Sequence, residues 1–108
     1  MRIIIDRDAV CAADDMSHHR EEFTVPDGIN IASLFEYLEF KYIPVIAGNN
    51  VVWALHHHDI EVGTYFTQNR SFINGNVPLL SIISNSERGN EFYLRYYSSP
   101  DRYRKHFI

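Results

Sequence analysis

Hydrophobic and polar residues alternate with two different periods along the chain, and the changes of period mark the expected elements. Residues 2–11 begin with three isoleucines, which predicts a strand that is apolar on both faces and central in a sheet. Residues 20–25 predict a second strand, which returns antiparallel after a polar turn over 12–19. The Pro-Asp-Gly sequence at 26–28 predicts the next turn, because proline presets φ and glycine accepts positive φ.

The clearest helix follows this turn. Its apolar stripe consists of five residues at helical spacing, namely Ile31, Leu34, Phe35, Leu38 and Tyr42. Asn30 predicts the N-cap, since its side chain can accept a hydrogen bond from a free N–H of the first turn. Pro44 and Gly48 predict its end. The residues expected on the solvent side of the helix are Ser33, Glu36, Tyr37 and Phe40.

The second half of the chain returns to the two-residue period of strands. Residues 51–57 and 61–67 predict a hairpin, with Trp53 on the core side. Residues 68–76 are polar and predict a loop. Residues 77–84 predict another strand. Pro78 restricts its first positions to a sheet edge or to the start of the strand.

The last segments complete the expected fold. After a loop at 85–90, the alternation over 91–97 predicts a strand with Phe92, Leu94 and Tyr96 facing inward and Tyr93, Arg95 and Tyr97 facing outward. Ser99 followed by proline and an acid predicts a short helix over 100–106. The order is a hairpin, one crossing helix and further strands. This order predicts a single α+β domain over 1–108, with a β-grasp-like mixed sheet and the main helix on one face.

The distribution of charge along the chain indicates which kind of partner the protein binds. The formal net charge is −4, but residues 1–61 contain eleven acids and four bases, a net charge of −7. Residues 62–108 contain three acids and six bases, a net charge of +3. An acidic first half repels nucleic acid and membrane phosphates and attracts basic proteins. We therefore expect a protein partner, no membrane and no direct contact with nucleic acid.

Cysteine content and the first residues bear on location. Cys11 is the only cysteine, so an internal disulfide is impossible. The apolar run at the start is three residues long, which is too short for a signal peptide or a membrane span. These features predict a cytoplasmic protein.

Histidines offer one alternative function. His56 and His58 would share a face of their predicted strand, and together with Asp14, Asp15 or Asp59 they could hold a zinc-like ion. No spaced motif such as H-E-x-x-H supports such a site, and a polar strand end explains the same residues. A small metal-binding protein or enzyme stays as an alternative.

Catalytic signatures are weak elsewhere. Asp14 and Asp15 are adjacent in a predicted loop, whereas general acid–base chemistry needs carboxylates held across a cleft. No cysteine-hydrolase signature surrounds Cys11, and the five glycines form no phosphate-binding motif. We therefore predict no catalytic residue, no cofactor and no resident metal, and we expect that the protein is not an enzyme.

The last part of the chain interleaves bases with aromatic residues, a pattern typical of proteins that bind single-stranded nucleic acid. The residues concerned are Tyr93, Arg95, Tyr96, Tyr97, Arg102, Tyr103, Arg104 and Lys105. A strand and a capping helix with exposed bases explain the same pattern, and the protein as a whole is acidic. A single-stranded RNA-binding module is the second alternative.

Four segments together resemble a known class of small bacterial proteins. They are the run from Asp6 to Asp15, the run from Phe23 to Gly28, the helix with Pro44, and the run from Val51 to Ala54. In these segments, and in size and acidity, the chain resembles the immunity proteins of contact-dependent growth inhibition systems over residues 3–67. The resemblance implies that the protein binds one toxin domain, often a nuclease, and blocks its active site. It assigns a role to no individual residue.

The charge pattern and the resemblance lead to one hypothesis. An acidic immunity protein would associate rapidly with a basic nuclease toxin and occlude its phosphate-binding cleft. Acidic side chains would steer the partner, and exposed aromatic side chains would anchor it. The predicted partner-binding residues are Asp14, Asp15, Glu21, Glu22, Glu36, Tyr37, Phe40, Asp59, Glu61 and Tyr65.

Overall fold

The computed structural model describes residues 1–10, 19–44, 50–83 and 89–107. Within these ranges the chain forms six strands and three helices. The elements in order are β1 (Arg2–Arg7), β2 (Glu21–Thr24), α1 (Ile31–Lys41), β3 (Val52–His57), β4 (Ile60–Phe66), β5 (Ser71–Ile73), α2 (Leu79–Ile83), β6 (Glu91–Tyr97) and α3 (Pro100–Lys105).

All six strands belong to one mixed sheet, in the order β2-β1-β6-β3-β4-β5. β6 lies between β1 and β3, parallel to β1 and antiparallel to β3. The other neighbouring strands are antiparallel. A hairpin, a crossing helix and a last strand placed beside the first confirm the predicted α+β fold with a β-grasp-like sheet.

α1 forms where the helical stripe predicts it. The Asn30 side chain accepts a hydrogen bond from the Ser33 N–H at 2.8 Å, which caps the first turn. The four stripe residues within the helix are fully buried against the sheet, and they are Ile31, Leu34, Phe35 and Leu38. Tyr42, just beyond the helix, donates its hydroxyl to backbone carbonyls of Ile5 and His19 and so ties the helix end to the sheet.

β3 is buried on both faces of the sheet. Trp53 and Leu55 belong to the main core beneath α1. Val52 and Ala54 belong to a smaller cluster on the opposite face, where Tyr103 of α3 covers them. Tyr97, expected to face solvent, is half-buried at the edge of this smaller cluster. α3 therefore covers part of the face that the alternation in β6 left open to solvent.

Two predicted elements are wrong. Residues 68–76, expected to be a loop, contain the edge strand β5, which pairs antiparallel with β4. The ring of Phe72 stacks on Tyr65, with centroids 4.9 Å apart, and this tertiary contact holds a polar segment in the sheet.

Residues 77–84, expected to be a strand, contain the helix α2 instead. Leu79 is fully buried, and Ile82 and Ile83 are partly buried, so the apolar residues follow the helical spacing i, i+3, i+4. The short apolar run was ambiguous, because a run of this length fits a strand or a helix equally well.

None of the helices in the described ranges has both the length and the apolar character needed to cross a membrane.

Close packing of α1 on the sheet makes Gly63 a sensitive position. A Cβ atom there would lie 2.7 and 2.8 Å from two side-chain atoms of Ile31, which is itself fully buried. We predict that Gly63→Ala lowers the free energy of unfolding by about 1–3 kcal/mol, the usual cost of overpacking a core. Urea denaturation measures the change.

Gly28→Ala is the matched control, since among the described residues, apart from its two chain neighbours, no atom lies within 4 Å of the position its Cβ would take. It should leave the free energy of unfolding almost unchanged. Equal stability of the two variants would contradict the packing of α1 described above.

Candidate functional site

The face of the sheet opposite α1, called here the open face, carries a cleft of about 370 Å³. α3 covers one end of this face, and the cleft lies towards the β3–β4 hairpin. We call it the hairpin cleft. Its lining residues are Asp6, Arg20, His56, His58, Asp59, Glu91, Phe92, Tyr93 and Arg95.

Charges of both signs meet in the hairpin cleft. Arg20 precedes β2 and pairs with Glu91 of β6 at 2.5 Å, so this ion pair reaches across β1. Asp6 adds a second acid nearby, and its charge raises the pKa of Arg20 after the larger effect of the contact with Glu91. Because acids and bases are mixed here, the cleft does not present a field of one sign to a partner.

Tyr93, which lines the hairpin cleft, is held in place by Asp8. The Tyr93 hydroxyl donates to Asp8 Oδ1 at 2.6 Å, and the Tyr96 backbone N–H donates to Asp8 Oδ2 at 2.9 Å. Burial, and then the hydrogen bond to the Asp8 carboxylate, raise the pKa of Tyr93 to about 12. The Asp8 carboxylate is thus committed to β6.

A polar cluster lies between the hairpin cleft and α3. Glu61 Oε2 accepts hydrogen bonds from the Tyr103 hydroxyl at 2.6 Å and the Thr64 hydroxyl at 2.8 Å. Glu61 Oε1 lies 3.9 Å from His56 Nε2, an atom that is buried without a hydrogen-bond partner in the described part of the chain. Burial, and then the carboxylate of Glu61, raise the pKa of Tyr103 to about 12. Glu61 therefore holds α3 on the sheet.

The histidine run is divided between the two faces. His56 and His58 both line the hairpin cleft, as the alternation predicts. His57 points the other way, is buried, and places Nε2 2.8 Å from the Gly89 carbonyl oxygen. Within the described ranges no three His, Cys, Asp or Glu side chains are close enough together to hold a metal ion. Asp14 and Asp15, the other predicted ligands, lie outside the described residues.

A second group of predicted residues lies on the α1 side of the molecule. We call this group the helix-side surface, and it consists of Glu21, Glu36, Tyr37 and Phe40. Phe40 is 92% exposed, although it belongs to the longest described helix. Tyr37 is half-buried against Phe23, with ring centroids 5.9 Å apart.

Glu21 completes the helix-side surface from β2. It pairs in register with Ile5, whose side chain is in the core under α1, so Glu21 points to the same side as the helix. Burial raises the pKa of the Tyr42 hydroxyl, and the charge of Arg7 partly opposes this shift. The charges of Asp6 and Glu21 add smaller increases. Glu21 is therefore near the C-terminal end of α1.

The predicted acidic surface is thus divided. Glu22 pairs in register with Ile4 and points to the open face, away from its neighbour Glu21. Asp59 and Glu61 lie at the hairpin, on or beside the open face. The structure does not bring these three acids together with the helix-side surface. Asp14 and Asp15 lie outside the described residues.

Tyr65 is not a surface residue, which corrects its prediction as a partner contact. It is 1% exposed, and its ring packs between Phe35 and Phe72. Its hydroxyl donates to Glu39 Oε2 at 2.8 Å, and burial followed by this hydrogen bond raises its pKa to about 12. Tyr65 was predicted as an anchor because it is aromatic, and the sequence does not show that α1 covers the face of β4 from which its side chain projects.

The sequence did not single out the pairing of Arg20 with Glu91 or the role of Asp8. These residues come together only because β1 and β6 are neighbours, and they are about 70 to 90 positions apart along the chain. The alternation of β6 did place Tyr93 and Arg95 away from the core, which is where the structure has them.

No protein-family model, no curated protein and no solved structure matches this chain.

We expect the burial of His56 to make the stability of the protein depend on pH. Burial lowers the pKa of His56 in the folded protein, the charge of Arg95 lowers it further, and Glu61 opposes them in part. As the pH falls below about 6.5, the unfolded chain therefore takes up this proton before the folded protein does. We predict that the stabilisation present above that pH is lost as the pH falls through the folded-state pKa of His56.

Urea denaturation at pH values from about 7.5 down to about 5.5, where carboxylates stay ionised, measures this loss. His56→Gln should reduce the pH dependence. His58→Asn is the control, since His58 is exposed and its left-handed backbone, with φ of 51°, suits asparagine. If His56→Gln leaves the slope of stability against pH unchanged, burial of neutral His56 is not its cause.

Proposed function

We propose that this protein binds a basic protein partner through the helix-side surface and neutralises it, as an immunity protein does a bacterial toxin. The partner in this proposal is a toxin domain, a nuclease in the first instance, whose basic active site would be covered. The observation that carries the proposal is the exposure of Phe40 on the outer side of the best-packed helix.

Phe40 has the properties of an anchor. Its ring is almost wholly in water, and burial of a phenylalanine side chain contributes about 1.5–3 kcal/mol. Tyr37 and Glu36 lie on the same side of α1, within one turn of it. An aromatic residue that enters a pocket of the partner, with polar residues around it, is the usual composition of a binding hot spot.

The charge around Phe40 suits a basic partner. Within the described residues, the carboxylates of Glu21 and Glu36 have neither an ion pair nor a hydrogen bond, whereas Glu39 is bound by Arg70 at 2.9 Å. Bases on this side include Lys41, at the end of α1, and Arg70, whose pKa is raised by the contact with Glu39 and, in smaller part, by the charge of Glu36. Free carboxylates beside an apolar anchor accelerate association with a positively charged site, and a nuclease must carry such a site to bind phosphates.

The helix offers this surface in a rigid form. Its inner side is fully buried, Asn30 caps its start, and Tyr42 ties its end to β1. A surface that is already ordered loses little conformational entropy on binding. This favours tight inhibition over transient contact.

The proposal includes a cytoplasmic location and no catalytic activity. Both were expected from the sequence, and they agree with a role in which the protein meets its partner directly and needs no cofactor for binding.

Phe40→Ala should weaken binding of the partner about tenfold to a hundredfold, the usual loss at a hot-spot residue. The partner is first captured by the immobilised protein from extracts of the source organism, identified by mass spectrometry and then produced separately. Surface plasmon resonance gives the dissociation constants. Ile60→Ala is the matched control, because Ile60 is 68% exposed but lies at the β3–β4 hairpin.

Contradiction would come from a partner that binds Phe40→Ala as tightly as the unaltered protein. The folded state of the variant is not in question, since the side chain it removes makes almost no contact with the core.

Substitutions of Glu21 and Glu22 provide a second test, in which one variant is the control for the other. The two residues are adjacent in the chain and both exposed, but they point to opposite faces of the sheet. Glu21→Lys should slow association with the partner, and the effect should shrink as salt is added. Glu22→Lys makes the same change of charge on the open face. Among the described residues it breaks an exposed ion pair with Arg2, which contributes little to stability.

Stopped-flow measurement of association rates at low and high salt compares the two variants. Equal slowing by both would show that only net charge matters, and slowing by Glu22→Lys alone would move the interface to the open face.

A further inference from the structure

A second cleft lies at the opposite end of the open face, where β6 leads into α3. We call it the α3 cleft. It has a volume of about 640 Å³, and the residues that line it are Tyr96, Tyr97, Ser98, Arg102, Lys105 and His106. This volume falls within the range of about 300–1,000 Å³ found for sites that hold small molecules.

The two charged side chains that line the α3 cleft, Arg102 and Lys105, are both basic. Arg102, Lys105 and His106 are spaced three and four residues apart, so they share one side of the last turn of α3. No acid is among the described residues that line the cleft. This distinguishes it from the hairpin cleft, where three acids neutralise the bases.

The neighbouring acids are already engaged. Asp101, the one acid of α3, pairs with Arg104 at 2.7 Å on another side of the helix. Asp8 accepts hydrogen bonds from the Tyr93 hydroxyl and the Tyr96 N–H. Within the described part of the chain, Arg102 and Lys105 therefore form no ion pair, although the protein has an excess of acids.

Aromatic rings lie beside these two bases. The ring of His106 is exposed and lies 5.7 Å from that of Tyr97 and 5.3 Å from that of Phe107, measured between centroids. Phe107 is itself 60% exposed. Exposed rings next to arginine and lysine match a ligand that carries a planar ring and a phosphate, because nucleobases stack on aromatic rings while cationic side chains bind phosphate.

We propose that the α3 cleft binds a nucleotide, with the phosphate held by Arg102 and Lys105 and the base stacked on His106. This site does not depend on the helix-side surface, which is on the other side of the sheet. It also revises the expectation that nucleic acid is repelled, because that expectation rested on the acidic first half of the chain. The interleaved tail does not act as one platform, since Tyr103 is buried and Tyr96 packs on Trp53.

Isothermal titration at low salt with inorganic phosphate, adenosine monophosphate and a short single-stranded oligoribonucleotide tests the proposal. The monophosphate should bind at least tenfold more tightly than phosphate, because only it has a ring. The oligoribonucleotide arm distinguishes a free nucleotide from a nucleotide within a strand. Tighter binding of the strand assigns the cleft to single-stranded RNA, and equal binding assigns it to mononucleotides.

Three variants locate the site. Arg102→Gln with Lys105→Gln, which together remove two positive charges, should reduce binding of the monophosphate at least tenfold. Arg104→Glu is the matched control on the same helix and should leave binding unchanged. His106→Ala should remove the preference for the monophosphate over inorganic phosphate.

If none of the three ligands binds at low salt, the proposal is wrong. Equal loss in the double variant and in Arg104→Glu would also overturn it, because that would indicate a diffuse effect of net charge. Equal affinity for phosphate and monophosphate in the unaltered protein would overturn the assignment of a nucleotide.

Discussion

The parallel pairing of β6 with β1 is the contact on which both sides of this molecule depend. It inserts the last strand between the first strand and β3, and so completes the sheet against which α1 packs. The same pairing carries α3 onto the opposite face, where Tyr103 reaches Glu61 and covers Val52 and Ala54. Without it, neither face would have its present cover, and the clefts of the open face would not exist.

Because the sheet is covered by different helices on its two faces, the molecule presents two surfaces of different character. On the α1 side, Phe40 lies in solvent beside carboxylates that have no partner in the described part of the chain. On the α3 side, Arg102 and Lys105 lie beside exposed rings in a cleft whose described lining residues include no acid. The acids of the first half are nevertheless found on both faces, since Asp6, Glu22 and Asp59 lie on the open face. The two proposed sites lie on opposite sides of the sheet, so a basic protein on one and a phosphate-bearing ligand on the other would not compete for one surface.

The sequence predicted the fold better than it predicted the sites, for physical reasons that particular residues show. The stripe from Ile31 to Leu38 and the cap at Asn30 are local patterns, so α1 was predictable within a residue or two. β5 and α2 were not, because their form depends on contacts with residues far away in the sequence, namely the contact of Phe72 with Phe35 and the hydrogen bond of the Leu79 N–H to the Ile29 carbonyl. Glu21 and Glu22 look alike in the sequence, but the register of β2 turns them to opposite faces. The aromatic residues show the same limit: Phe40 and Tyr65 were predicted as equivalent anchors, and only the packing of α1 separates the exposed ring from the buried one.

Hydroxyl-radical footprinting of the protein with its captured partner shows whether Phe40 is covered in the complex, because the method reports the solvent exposure of individual rings. In the free protein Phe40 and Phe107 are both exposed, so both should be oxidised. On complex formation we expect that oxidation of Phe40 falls several-fold while that of Phe107 is unchanged. Protection of Phe107 with Phe40 still oxidised would contradict this expectation, because the partner would then lie on α3 and not on the helix-side surface.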